Sequence, residues 1–156
     1  MNRSINPIPE GHHTVTAYMV IKNAAFAIEF YQKAFGAAKV MHMADAEGKI
    51  MHAEIQIGDS LIMITDEHPE RNALSPESLG GTAVSLHLYV EDADSLFNQA
   101  IAAGAKAVCP MKDQFYGDRC GTVADPFGHV WHIATHQEDV APEELRSRAA
   151  ALCLGE

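Results

Sequence analysis

The chain has 156 residues, 47% of them hydrophobic and 21% charged, with a formal net charge of −10 and no Lys/Arg cluster. That length supports one domain or two small half-domains with a real core, and the charge speaks against nucleic acid or an anionic lipid surface as partner. No apolar run reaches 18 residues and the opening MNRSINPIPEGHH has no apolar stretch, so neither a membrane span nor a secretory signal is expected and a cytoplasmic location is.

Residues 1–13 read as a loose arm. Thr14 to Ile21 is rich in β-branched residues and predicts a first strand. Asn23 is placed to cap a helix over Ala24–Phe35, in which Ile28, Tyr31 and Phe35 are spaced to face a core, and Gly36 ends it. Strands are expected at Ala38–Met43, Ile50–Ile57 and Ser60–Thr65, with turns at Asp45–Gly48 and Gly58–Asp59. Residues 66–81 carry two prolines and no clean periodicity, and read as a long connector, either functional or plain.

The order then repeats. A strand is expected at Thr82–Val90, a helix over Asp92–Ala103 closed by Gly104, and a strand at Ala105–Cys109 followed by a loop at Pro110–Phe115. Asp118–Ala124 and His129–Thr135 flank the turn Asp125-Pro126-Phe127-Gly128 and predict a hairpin. The tail, residues 137–156, starts a helix at Pro142, with Glu143 and Glu144 in its first turn. Ile21 and Val90, Met63 and His132, and Ile64 and Ile133 are all 69 positions apart. Such spacing marks a duplicated βαβββ unit, with modules at residues 14–65 and 82–136.

Tandem βαβββ units, a helix ending in FYQKAFG and a closing DPFGHVWHI hairpin resemble the vicinal oxygen chelate superfamily, which includes glyoxalase I, extradiol dioxygenases, fosfomycin-resistance enzymes and bleomycin-binding proteins. TAYMVIKNAAFAIEFYQKAFGA, MHAEIQIGDS, SLHLYVED and DQFYGDRCGTVADPFGHVWHIATH are most similar to its PhnB-like subgroup. The resemblance implies an α+β fold: tandem modules forming a curved mixed sheet around a cleft, with helices on the outer face. It also implies a homodimer. In the metal-using members each module supplies one ligand early on its first strand and one on its last. Those positions here are Thr16, Met63, Ser85 and His132. Neutral hydroxyls are poor ligands for Zn²⁺ and a thioether is unsuited to hard cations, so no cofactor is expected at the usual positions.

A displaced site remains open. Side chains two apart on a strand share a face, so His52 and Glu54 belong together, as do Ser85, His87 and Tyr89, and Thr16 and Tyr18. His52, His87 and His132, with Glu54, are a donor set suited to Zn, Fe, Ni or Mn; His13 faces the other way. Arg119 is expected to line the same cleft and bind a carboxylate or phosphate, or else to pair with Asp118 or Asp125. Tyr116, Phe115 and Phe127 are candidates for an aromatic wall. Trp131 is expected on the opposite face from His132. Cys120 reads as a small buried hydrophobe rather than a nucleophile.

Two functions follow. One is a binding protein of the bleomycin-resistance kind, holding a small planar ligand with Tyr18, His52, His87, Tyr89, Tyr116, Arg119 and His132. The other is a metal-dependent lyase, isomerase or dioxygenase with Glu54 as general base. A domain with no small-molecule chemistry is the third possibility. Methyltransferase chemistry finds no support, because no Gly-rich strand-to-helix loop is present.

Overall fold

The computed structural model describes residues 5–153; the first four residues of the expected arm and the last three of the tail lie outside them. The fold is α+β, and the chain divides into two compact units, residues up to 81 and residues from 82 on. Each builds its own four-stranded mixed sheet. No helix among the described residues is long and apolar enough to cross a membrane.

The first unit contains β1 (Ala17–Ile21), α1 (Ala24–Phe35), β2 (Ala38–Ala44), β3 (Ile50–Ile57) and β4 (Ser60–Asp66), with sheet order β1-β4-β3-β2. α1 buries Ala24, Ala27, Ile28, Tyr31, Ala34 and Phe35, the stripe that a 3.6-residue period presents to one side. Met19, Ile21, Ala53, Ile55, Ile62 and Ile64 are buried on alternate strand positions. Each fully buried Ile is worth about 1.5–3 kcal/mol of transfer free energy. The opposite parity leaves Tyr18, Met63, Glu54 and His52 on the open face.

Several expectations are corrected. β1 starts at Ala17 because Thr16 folds back, its Oγ1 donating to the His13 carbonyl at 3.2 Å. Asn23 sits at the cap position in the left-handed region (φ 65°) without a side-chain cap. The first helical N–H, of Ala24, is instead met by Asp66 Oδ1 at 2.9 Å, while Asp66 Oδ2 accepts from Ile50 N at 2.7 Å. The connector is structured. It holds a single 3-10 turn (Pro69–Arg71) and a short helix, α2 (Pro76–Leu79), pinned where Glu67 Oε1 accepts from Ser75 N at 2.7 Å. Hydrogen bonds from Ser75 and Ser78 hold the Glu67 pKa down to about 2. The arm is not wholly loose either: His12 comes within 3.4 Å of Glu54.

The second unit contains β5 (Ser85–Tyr89), α3 (Ala93–Ala103), β6 (Lys106–Asp113), β7 (Asp118–Ala124), β8 (Val130–His136) and α4 (Pro142–Cys153), with sheet order β5-β8-β7-β6. The expected loop at Pro110–Phe115 is overturned, since β6 runs on to Asp113. As an edge strand with irregular register it tolerates a proline that donates no hydrogen bond. Trp131 and Ile133 are fully buried on the helix side. Trp131 Nε1 donates to Asp125 Oδ2 at 2.9 Å, and Asp125 Oδ1 accepts from Phe127 N and His129 N, which fixes the Asp125–Gly128 turn. The tail docks through Arg148, which bonds Glu138 and the Phe115 carbonyl.

The 69-residue repeat is a repeat of register. In the first unit Tyr18 lies beside Met63, and in the second His87 lies beside His132. The repeat extends to chemistry, for Ala93 N is met by Thr135 Oγ1 at 2.9 Å as Ala24 N is met by Asp66.

Candidate functional site

The open face of the second sheet carries the denser group of polar side chains. His132 projects there because Trp131 and Ile133, on either side of it, are committed to the core. Its Nδ1 lies 2.8 Å from Thr122 Oγ1, directly across the β7–β8 ladder, and its Nε2 lies 3.1 Å from Ser85 Oγ on β5. Both partners are hydroxyls, which donate or accept, so the ring is held in either tautomer. His87 stands beside it with ring centroids 5.7 Å apart, and Tyr89 continues the row at 4.7 Å from His87. Desolvation of its ring, reinforced by the neighbouring His132, pushes the His87 pKa down and favours the neutral imidazole. Among the described residues neither of its ring nitrogens has a hydrogen-bond partner.

Tyr89 is fixed from below. Its hydroxyl donates to Asp118 Oδ2 at 2.9 Å, and that bond raises its pKa. The carboxylate of Asp118, a buried residue, also meets His136 Nδ1 at 2.6 Å, and His136 Nε2 meets Asp139 at 2.8 Å. These two carboxylates, Asp139 first, raise the His136 pKa. Tyr116, in the β6–β7 turn, has its pKa raised by desolvation and then by Cys120 and Asp118. Cys120 is buried, and burial with the charge of Asp118 pushes its thiol pKa up. It is therefore unsuited to act as a nucleophile.

Arg119 is not on this face. It shares the strand parity of Gly121 and Val123 on the helix side, where it makes paired bonds to Asp94 of α3 at 2.6 and 2.9 Å and a longer one to Asp113. The ion pair is present, but its partners are neither Asp118 nor Asp125. The sequence points to neither Thr122 nor His136, and to Asp118 only as a candidate partner of Arg119. The hairpin turn at Asp125–Gly128 was the available signal, since it sets Thr122 opposite His132 and Asp118 opposite His136.

In the first unit the open face brings together Tyr18, His52 and Glu54. The Tyr18 and His52 rings stack with centroids 6.1 Å apart, and Glu54 Oε1 lies 3.3 Å from His52 Nε2 and 3.4 Å from His12 Nε2. His13 offers only its carbonyl, to Thr16. Met63 lies between Tyr18 and Glu54 in register, so a thioether occupies the place His132 holds in the other unit. The four positions that the resemblance marks for metal ligands thus hold a hydroxyl turned to a backbone carbonyl, a thioether, a hydroxyl bonded to His132, and His132 with both nitrogens engaged. Two neutral hydroxyls and a thioether do not suit a hard divalent cation. His52 and Glu54 lie in the first unit and His87 and His132 in the second. Among the described residues, no three His, Cys, Asp or Glu side chains are gathered so as to hold a metal ion.

Residues 12–133 match the family model of the Glyoxalase/Bleomycin resistance protein/Dioxygenase superfamily. Uncharacterized proteins of Mycobacterium bovis and Mycobacterium tuberculosis are 39% identical over 136 residues, covering 85% of this chain and 90% and 80% of theirs. Among solved structures, protein PA1353 from Pseudomonas aeruginosa is similar with a TM-score of 0.65 at 25% identity, over 81% of this chain and 99% of that one. TioX from Micromonospora sp. ML1 gives 0.63 at 23%, over 83% and 100%. The PhnB protein from Bacillus cereus gives 0.60 at 18%, over 79% and 99%. The last two likenesses speak for the fold.

Proposed function

Because the chain belongs to the Glyoxalase/Bleomycin resistance protein/Dioxygenase superfamily, we propose that it is a small-molecule-binding protein of the bleomycin-resistance kind, working without the family's usual metal site. The observation that carries the reading is the row Tyr89–His87–His132 on the open face of the second sheet. His132 is locked by Thr122 and Ser85, Tyr89 is locked by Asp118, and His87 between them keeps both ring nitrogens unbonded. Two ring side chains held in place on either side of His87 cost a ligand little ordering entropy. Their faces suit a planar group, and His87 supplies one donor and one acceptor to orient it.

The competing reading is a metal-dependent lyase, isomerase or dioxygenase with a displaced His/Glu site. The adjacency of His87 and His132 favours it, since two imidazoles side by side are common metal donors. Calorimetric titration with bleomycin, paired with elemental analysis of protein purified without added metal, separates the two. Binding that is weakened at least about tenfold by His87→Ala, the scale of a hydrogen bond to a buried ligand group, supports the first reading. Stoichiometric Zn, Fe, Ni or Mn that disappears in His87→Ala supports the second. The protein is also proposed to work as a homodimer, and a monomer mass by light scattering at micromolar concentration refutes that.

A further inference from the structure

Asp118, the first residue of β7, is buried, and both of its oxygens are met by donors. Oδ1 lies 2.6 Å from His136 Nδ1, and Oδ2 accepts from the Tyr89 hydroxyl at 2.9 Å. His136 Nε2 faces a second carboxylate, Asp139, at 2.8 Å. Carboxylates only accept, so the His136 ring donates at both nitrogens. Its raised pKa agrees, Asp139 and Asp118 being the causes. The carboxylate of Asp118 is thus an acceptor at both oxygens, and the one hydroxyl proton of Tyr89 is committed to it. What Tyr89 has left for a ligand is a lone pair on its oxygen. Tyr89 is 65% exposed on the open face, so there is open space beside it.

Resting on the binding reading above, we infer that Tyr89, oriented by Asp118, determines specificity by accepting and never donating. The ligand is then a neutral planar aromatic molecule that carries a hydrogen-bond donor, such as a ring N–H, on its edge. The neighbours of Tyr89 fit that class. The His87 ring lies 4.7 Å from the Tyr89 ring, centroid to centroid, and adds a flat face without a fixed charge. His132 has both nitrogens engaged by Thr122 and Ser85, so it offers the ligand a ring face. An anion is disfavoured twice. It would meet the Tyr89 lone pair with the carboxylate of Asp118 directly behind it. The three strands that carry the row, β5, β7 and β8, contain one Lys or Arg between them, Arg119, and it is turned to Asp94 on the helix side.

The test is titration of the full-length protein, followed by NMR chemical shifts, with indole, benzofuran and benzoate, and with bleomycin in parallel. Indole and benzofuran share one planar shape, and only indole has an N–H. Indole binds at least about threefold more tightly than benzofuran, the scale of one neutral hydrogen bond, and more tightly than benzoate. Tyr89→Phe keeps the ring and removes the acceptor, so the two heterocycles then bind alike. In Asp118→Asn the amide oxygen stays with His136 and the amide N–H turns to Tyr89. The Tyr89 proton then swings out to the ligand, and the preference for indole is lost. Circular dichroism checks the fold of both variants, and Tyr89→Phe, a change on the exposed face, carries the test should Asp118→Asn not fold. Equal binding of indole and benzofuran by the native chain, a preference that survives Tyr89→Phe, or tighter binding of benzoate than of indole each overturns the inference. Where bleomycin still binds in such a case, the reading of the row as a binding site stands without it. If bleomycin and all three probes fail to bind, that reading falls and the inference with it.

Discussion

Replacing Asp66 by Ala tests how the first unit is held together. The carboxylate, 8% exposed at the end of β4, accepts from Ala24 N at 2.9 Å and Ile50 N at 2.7 Å. One bond caps a helix start that Asn23 leaves uncapped, and the other fixes the entry of β3. A hydrogen bond to a charged group contributes about 1.5–3 kcal/mol. Removing two, with both buried N–H groups left unmet, should therefore cost roughly 3–6 kcal/mol. That is a large share of the 5–15 kcal/mol that holds a typical domain together. Asp66→Thr restores the solution used in the second unit, where Thr135 Oγ1 meets Ala93 N. It should recover the Ala24 bond but not the Ile50 bond, and so lie between Asp66→Ala and the native chain. Urea unfolding followed by far-ultraviolet circular dichroism reads both variants. An Asp66→Ala loss below about 0.5 kcal/mol, the size of an ordinary surface change, would refute the reasoning.

Two further outcomes follow from charge. His136 has its pKa raised by Asp139 and Asp118, so its stabilising contribution is fully present below the unfolded value of about 6.5 and fades as pH rises through the raised folded value. The stability gap between the native chain and His136→Asn should be wider at pH 6 than at pH 9, and a gap that widens with pH contradicts the assignment. Arg119→Met breaks a half-exposed pair with Asp94 on the helix side, so it should cost no more than about 1 kcal/mol and leave bleomycin affinity unchanged. A large loss of affinity would put Arg119 in the ligand site after all.

The duplication was legible because spacing of 69 survives as strand register, down to Tyr18 and His87 occupying equivalent places. Parity placed Trp131 on the core side and His87 with Tyr89, because regular strands alternate. Parity failed for Arg119 only through the assumption that its strand faced it towards the cleft; its partner Asp94 is 25 positions away on another element. The same distance effect hid the capping role of Asp66, 42 positions from Ala24. Pro110 read as a strand breaker because edge position is a property of the sheet, invisible along the chain. Nothing in MNRSINPIPEGHH signals the contact of His12 with Glu54 on β3, 42 positions further on.

Imidazole nitrogen NMR of His87 and His132 addresses the central claim most directly. With no metal added, bleomycin should move the His87 ring-nitrogen signals, while His132 keeps the pattern of a ring bonded at both nitrogens. Zinc chloride at one equivalent should then leave both rings unaffected. Zinc that saturates at one equivalent and shifts both rings, with bleomycin shifting neither, would contradict the account and make the pair part of a metal centre.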